Sequence, residues 1–149
     1  MNEAPPPGRE LRDRHDLHVY YEDTDFSGFV YHANYIKFFE RAREHLIGIA
    51  MLRRLVDEGV HFVVSHLEFD YHRPAGHGDQ LALLSVARYS RSPRIAFQHE
   101  AWLLEGGVPA KKLVSGIVHI VALGRDQRPV RLPDSIFDHL NFRSSELGS

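Results

Sequence analysis

The 149-residue chain has no cysteine. Disulfides, thiolate zinc sites and a cysteine nucleophile are therefore excluded. The same absence fits a cytoplasmic location. No apolar run approaches the roughly 18 residues that cross a bilayer, so no integral membrane segment is expected. The opening MNEAPPPGRE carries Glu3 and three prolines and lacks an apolar stretch. It does not form a secretory signal and reads as a disordered lead-in covering residues 1–13. A positive charge excess is also missing. The formal net charge of -2 and pI near 6.6 argue against a nucleic-acid partner. Basic residues cluster locally, in ARYSRSPR (87–94) and GRDQRPVR (124–131), where solvated turns and strand ends are the plain explanation. Neither a repeat nor a second-domain linker is visible. The length suits one domain, expected over 14–141, with a polar tail over 142–149.

The 43% hydrophobic content is enough for a core. Residues 17–21 (LHVYY) are rich in strand formers and predict a first strand. A loop follows over 22–31, with Asp-Thr-Asp and Ser-Gly turn chemistry. From residue 33 to about 58 the period becomes helical. Tyr35, Phe38, Phe39, Ala42, Leu46, Ile49, Leu52 and Val56 make one stripe. Lys37, Glu40, Arg41, Glu44 and Arg53 lie on the other side, with Glu40 in reach of Arg43 at i+3. A single helix of that length would run roughly 38 Å. It needs a wide surface to cover its stripe.

Four strands can supply that surface. Residues 61–71 place Val63, Leu67, Phe69 and Tyr71 on one face, and residues 80–89 place Leu81, Leu83 and Ala87 together. Segments 94–104 and 111–123 complete the set, joined by the hairpin signal Glu105-Gly106-Gly107. Pro74, Gly76 and Gly78 make 72–79 a loop. A short helix is expected from Pro133. The order predicts an α+β domain: one long helix on an antiparallel five-stranded sheet.

The chemistry concentrates in YYEDTDFSGFVYHANYIKFFERARE (20–44). As plain structure, Asp23 and Asp25 could make Asx turns, Gly28 a tight turn, and Asn34 or His32 a helix cap. As a site, the same residues suggest acyl transfer. The first amides of a helix lack intrahelical acceptors and carry the positive end of its dipole. A carboxylate held opposite them would face a carbonyl carbon whose oxygen they polarise. The 11 histidines invite a metal reading. His61, His66, His72, His77, His99 and His119 form no H-x-x-x-H or comparable pair, so neither metal nor cofactor is expected.

The DTD, the glycine, the V-Y-H-x-N-Y and the F-x-E-x-A-R that follow resemble the 4-hydroxybenzoyl-CoA thioesterase family. Within that family they resemble the YbgC-like acyl-CoA thioesterases associated with the Tol-Pal system. Weaker similarity continues through FVVSHLEFDYHRPAGHGDQL (62–81) and the RLPDSI near the end. The resemblance implies a hotdog fold, with a five-stranded antiparallel sheet wrapped around a long central helix. It implies hydrolysis of an acyl-CoA, by homodimers with shared sites, often as dimers of dimers. It further implies Asp25 as the catalytic carboxylate and Asp23 as a loop stabiliser. The His32 amide would polarise the thioester carbonyl, its side chain would assist, and Tyr21 would line the site, although a strand aromatic in the core explains Tyr21 equally well. The family often carries an R-S-S-type segment for coenzyme A. Here SRSPR stands in its place, making Arg88, Arg91 and Ser92 the candidates for CoA contacts, with Pro93 a departure. An acyl-carrier or Tol-Pal partner is implied by family alone. Other readings are a hotdog acyl-thioester dehydratase or hydratase, and a non-catalytic acyl-CoA or acyl-carrier binding module.

Overall fold

The computed structural model describes residues 8–146. The first seven residues of the expected lead-in and the last three of the expected tail lie outside the described residues. Strand β1 (Arg9–His18) leads into a one-turn helix (Tyr21–Asp23) and then helices α1 (Asn34–Ile47) and α2 (Ile49–Asp57). Strands β2 (His61–Tyr71), β3 (Gln80–Tyr89), β4 (Arg94–Glu105) and β5 (Val108–Leu123) follow, and α3 (Asp134–Glu146) closes the chain. The sheet is antiparallel, in the order β1-β3-β4-β5-β2.

The first strand lies earlier than the composition of residues 17–21 suggested. It starts at Arg9 and buries Leu11 completely, so it takes in part of the expected lead-in. Tyr20 and Tyr21 leave the sheet and are 56% and 77% exposed. Likewise α3 runs through part of the expected tail.

Directly paired residues of an antiparallel sheet share a face. Leu81, Leu83, Ala87 and Tyr89 therefore line up with Ile95, Phe97 and Ala101, and all seven are fully or almost fully buried under α1. The helix answers with Tyr35, Phe38, Phe39, Ala42 and Leu46. Burying each aromatic ring stabilises the fold by roughly 2–3 kcal/mol.

The expected single helix is two. Gly48, at φ +101°, ends α1 and starts α2. That conformation is open to glycine and strained for other residues. The break resets the helical phase. After it the buried positions are Met51 and Leu55, while Ile49 and Val56 point to solvent at 58% and 66% exposure. His139 Nε2 donates to the Ile47 carbonyl at 2.7 Å, so α3 satisfies part of the severed end.

Strand β2 also departs from simple alternation. The register slips between Val64 and His66, a bulge at Ser65. Val63 pairs with Val121, whereas Leu67 and Phe69 pair with Val118 and Gly116, which lie on the opposite face. Phe69 crosses Gly116 to reach Phe39, ring centroids 5.2 Å apart. The remaining sheet expectations hold. Gly106 and Gly107 turn the β4–β5 hairpin with positive φ, and β5 starts three residues before the expected 111.

Candidate active site

The loop between β1 and α1 is a small hairpin. Thr24 bridges Val30, the Asp25 amide donates to the Phe29 carbonyl at 3.0 Å, and the Gly28 amide donates to the Asp25 carbonyl at 3.0 Å. Gly28, at φ +83°, makes that reversal possible. A second loop clasps it from outside. Val30 N–H donates to the Ala75 carbonyl at 2.8 Å, and Phe29 bridges Gly76.

The two aspartates have separate surroundings. Asp23 is 9% exposed, and its carboxylate accepts the Tyr20 amide at 2.9 Å. Its carbonyl accepts both the Tyr31 amide and the Asn34 side-chain amide at 2.9 Å. Asn34 thus ties the helix to the loop and does not cap it. Asp25 is exposed at the hairpin. Its Oδ1 accepts the Ser27 amide at 2.9 Å and the Ser27 hydroxyl at 2.6 Å. These bonds hold its carboxyl below the ordinary carboxylate range, and the charge of His32 adds a smaller pull. Ser27 escaped the sequence reading, although Asp-x-Ser is the spacing at which such a turn closes. Replacing Ser27 by alanine removes the largest of those pulls, so the Asp25 pKa rises and less of it is ionised in acid. The acid limb of kcat/KM should move to higher pH. Profiles of both proteins that superimpose would refute this role.

Helix α1 begins without a cap. Ala33 precedes it in helical conformation, no side chain bonds the first amides, and its first turn holds no acidic residue. Among the described residues, no acceptor meets the backbone N–H of His32 or Ala33. On the other side, Tyr71 Oη donates to the His32 carbonyl at 2.8 Å and fixes this entrance to the end of β2. The result is two unspent donors at the positive end of a helix, with Asp25 near enough for the His32 charge to act on its carboxyl. That arrangement can polarise a carbonyl oxygen while offering a nucleophile or base.

The other candidates are spread out. Tyr21 is in the one-turn helix, with its ring 5.8 Å from that of His77, and is not a core aromatic. Arg88 pairs with Glu10 at 2.8 Å on the far face of the sheet. Arg91 pairs with Asp134 and sits 4.2 Å from the Phe137 ring centre, where it anchors α3. Ser92 bonds Ser90. All three lie at the Tyr89 end of β3, while the Asp25 loop lies at its Gln80 end. Nine strand steps separate these ends by on the order of 30 Å. One chain does not bring them together.

A Ser–His pair is also present under α1. Ser85 Oγ is 2.8 Å from His99 Nδ1, and Arg43 Nη1 is 3.3 Å from His99 Nε2. Arginine can only donate, so Nε2 accepts and Nδ1 carries the proton toward Ser85. In that tautomer His99 cannot take the serine proton. Burial, followed by the nearby Arg43 charge, pushes the His99 pKa down to about 3, so the ring stays neutral. The pair is a packing element, stacked on Phe39 at 4.8 Å. Arg43 is turned inward and is 7% exposed, with Glu40 still near enough to act on its charge.

A helix layer packed on a five-stranded antiparallel sheet, with a carboxylate loop at the helix start, defines a hotdog-fold domain. The chain belongs to the thioesterase-like superfamily, whose family model matches residues 19–140. Among curated relatives it is 34% identical over 130 residues to the acyl-CoA thioesterase YbgC of Haemophilus influenzae, covering 83% of this chain and 93% of that one. It is 37% identical over 86 residues to the acyl-CoA thioester hydrolase YbgC of Escherichia coli O6:H1, covering 56% of this chain and 64% of that one. The chain thus spans just under two thirds of the Escherichia coli relative it matches. A solved structure, "Probable Thioesterase from Bartonella henselae", is 33% identical with TM-score 0.66, covering 82% and 98% of the two chains. The 1,4-dihydroxy-2-naphthoyl-CoA thioesterase from Synechocystis superposes with TM-score 0.78 at 20% identity, covering 88% and 96%, and shares the fold. No helix of the described residues is long and apolar enough to cross a membrane.

Proposed function

We propose that the chain hydrolyses an acyl-CoA thioester to free CoA and a carboxylic acid. The observation that carries this reading is the pair of unspent amides at His32 and Ala33 beside the Asp25 carboxylate. The thioester oxygen accepts from the His32 amide, which draws electron density from the carbonyl carbon. Asp25 then acts by one of two routes. As nucleophile it bonds to the carbon, expels the CoA thiolate and leaves a mixed anhydride that water opens. As general base it takes a proton from the attacking water. Each route consumes one water and needs neither metal nor redox cofactor. The His32 side chain and Tyr21 line the approach.

The working unit in this reading is a homodimer with shared sites. Strand β2 is an 11-residue sheet edge with Val63, Val64, Leu67 and Tyr71 between 38% and 46% exposed. An uncovered edge of that length and composition is a pairing surface. A second copy fits it in antiparallel register. The partner's β2 would then start where this one ends, at Tyr71 and the His32 entrance. The pairing would carry the Arg88–Ser92 end of the partner sheet toward this Asp25 loop, where the phosphates of CoA need cations. The shared-site dimer is the smallest assembly the reading requires, and two such dimers paired back to back would make the expected dimer of dimers.

The test is release of CoA, followed with a thiol reagent, over short-chain, long-chain and aromatic acyl-CoAs. Turnover of at least one is expected. Hydration of a crotonyl thioester without release would favour a hydratase, and binding without either reaction would leave a binding module.

A further inference from the structure

Tyr35 is 2% exposed, and its hydroxyl has no hydrogen-bond partner. Native proteins carry few such groups, and each asks for an explanation. This one stands three residues into the chain from His32, a rise of roughly 4.5 Å along the helix. Its surroundings are otherwise apolar: Val30, Phe38, Ala75 and Val114 belong to the same buried cluster. Two polar neighbours frame it. The Tyr71 ring lies edge-on, 5.9 Å between centroids, with its own hydroxyl committed to the His32 carbonyl. The Asp79 carboxylate is committed to the Gly76 amide at 2.8 Å. Burial, with smaller contributions from Tyr71 and Asp79, pushes the Tyr35 pKa up to about 12. The phenol therefore keeps its proton at neutral pH and has a hydrogen bond to give.

The geometry points to Tyr35 as a specificity-determining residue, whose hydroxyl donates to an oxygen carried on the acyl group. A thioester whose carbonyl oxygen sits on the His32 amide directs its acyl group along this side of the helix start. A plain alkyl chain would leave the phenol unpaired. A chain bearing a hydroxyl or keto oxygen would satisfy it. The inference rests on the thioesterase reading, so its test needs a readout that survives if turnover does not.

The experiment compares the full-length protein with Tyr35→Phe on matched pairs, 3-hydroxybutyryl-CoA against butyryl-CoA and 4-hydroxybenzoyl-CoA against benzoyl-CoA. The oxygenated member of at least one pair should be preferred by the wild type, and that ratio of kcat/KM should fall about tenfold in the variant, the worth of one well-made hydrogen bond. A merely structural role would lower both members alike and leave the ratio intact, which would overturn the proposal. In parallel, each acyl-CoA is added at saturation and the shift in Tm is read. A larger shift with the oxygenated member, lost in Tyr35→Phe, supports the site even if no thioester is cleaved. Equal shifts in both proteins count against it. Absence of turnover alone would count against the hydrolase reading and not against this one.

Discussion

Asp25→Asn should lower kcat for acyl-CoA hydrolysis by about a thousandfold or more, with the fold intact. The magnitude follows from removing the group that attacks or deprotonates, a contribution of roughly 10²–10⁴ for a positioned acid or base. The structure explains why stability should survive. The Asp25 side chain is exposed and holds Ser27 through Oδ1, an oxygen that asparagine retains. Melting within a degree or two of wild type is therefore expected alongside the lost rate. Asp23 behaves in the opposite way. It is buried, and its carboxylate holds the Tyr20 amide, so Asp23→Ala should cost about 1 kcal/mol of stability, the usual worth of such a cap. Near-normal turnover by Asp25→Asn would end the assignment of the reacting carboxylate. Single turnover in ¹⁸O-water then separates the two routes. Label in the Asp25 carboxylate marks attack, and label found only in the released acid marks general-base action.

The loop was legible because each of its residues does local work. Gly28 makes the reversal, Asp23 holds the loop base, and the helix start follows directly, so a short window of sequence contains the whole hairpin. The β3 face was legible for a similar reason: Leu81, Leu83 and Ala87 alternate strictly and all three are fully buried. What escaped depends on contacts distant in sequence. The run LIGIAML keeps apolar residues on both sides of Gly48, so the apolar stripe runs unbroken through a break that only the backbone angle reveals. The Ser65 bulge is invisible because a one-residue slip leaves composition untouched while moving Val63 to the other face. The inward turn of Arg43 is not readable from its helix either, because its partner His99 and the Ser85 bonded to that ring come from two later strands. The CoA candidates illustrate the same limit at larger scale. Arg88 and Arg91 are near each other in sequence, but they engage Glu10 and Asp134 at the opposite end of the sheet from Asp25.

Gly116 tests whether that long-range packing governs the site. It lies on β5 opposite Phe69, and a Cβ added there would overlap both the Phe69 ring and the Glu68 carbonyl oxygen. The ring could turn aside, but a backbone carbonyl inside a strand cannot move without displacing β2. Gly116→Ala should therefore cost about 3 kcal/mol, at the upper end of ordinary overpacking. For a chain of this size that corresponds to a Tm lower by roughly 10 °C. Relieving the ring with an additional Phe69→Ala should not restore stability, because the carbonyl overlap remains and the contact with Phe39 is lost. The effect should also reach the chemistry. Tyr71, two residues beyond Phe69, holds the His32 carbonyl, so a displaced β2 shifts the amides that meet the thioester oxygen. CoA release by the folded fraction, measured well below the lowered Tm, should fall along with stability. Thermal denaturation of Gly116→Ala within 2 °C of wild type would show that β2 yields freely at this point. The edge strand would then not be the rigid support that fixes the helix entrance.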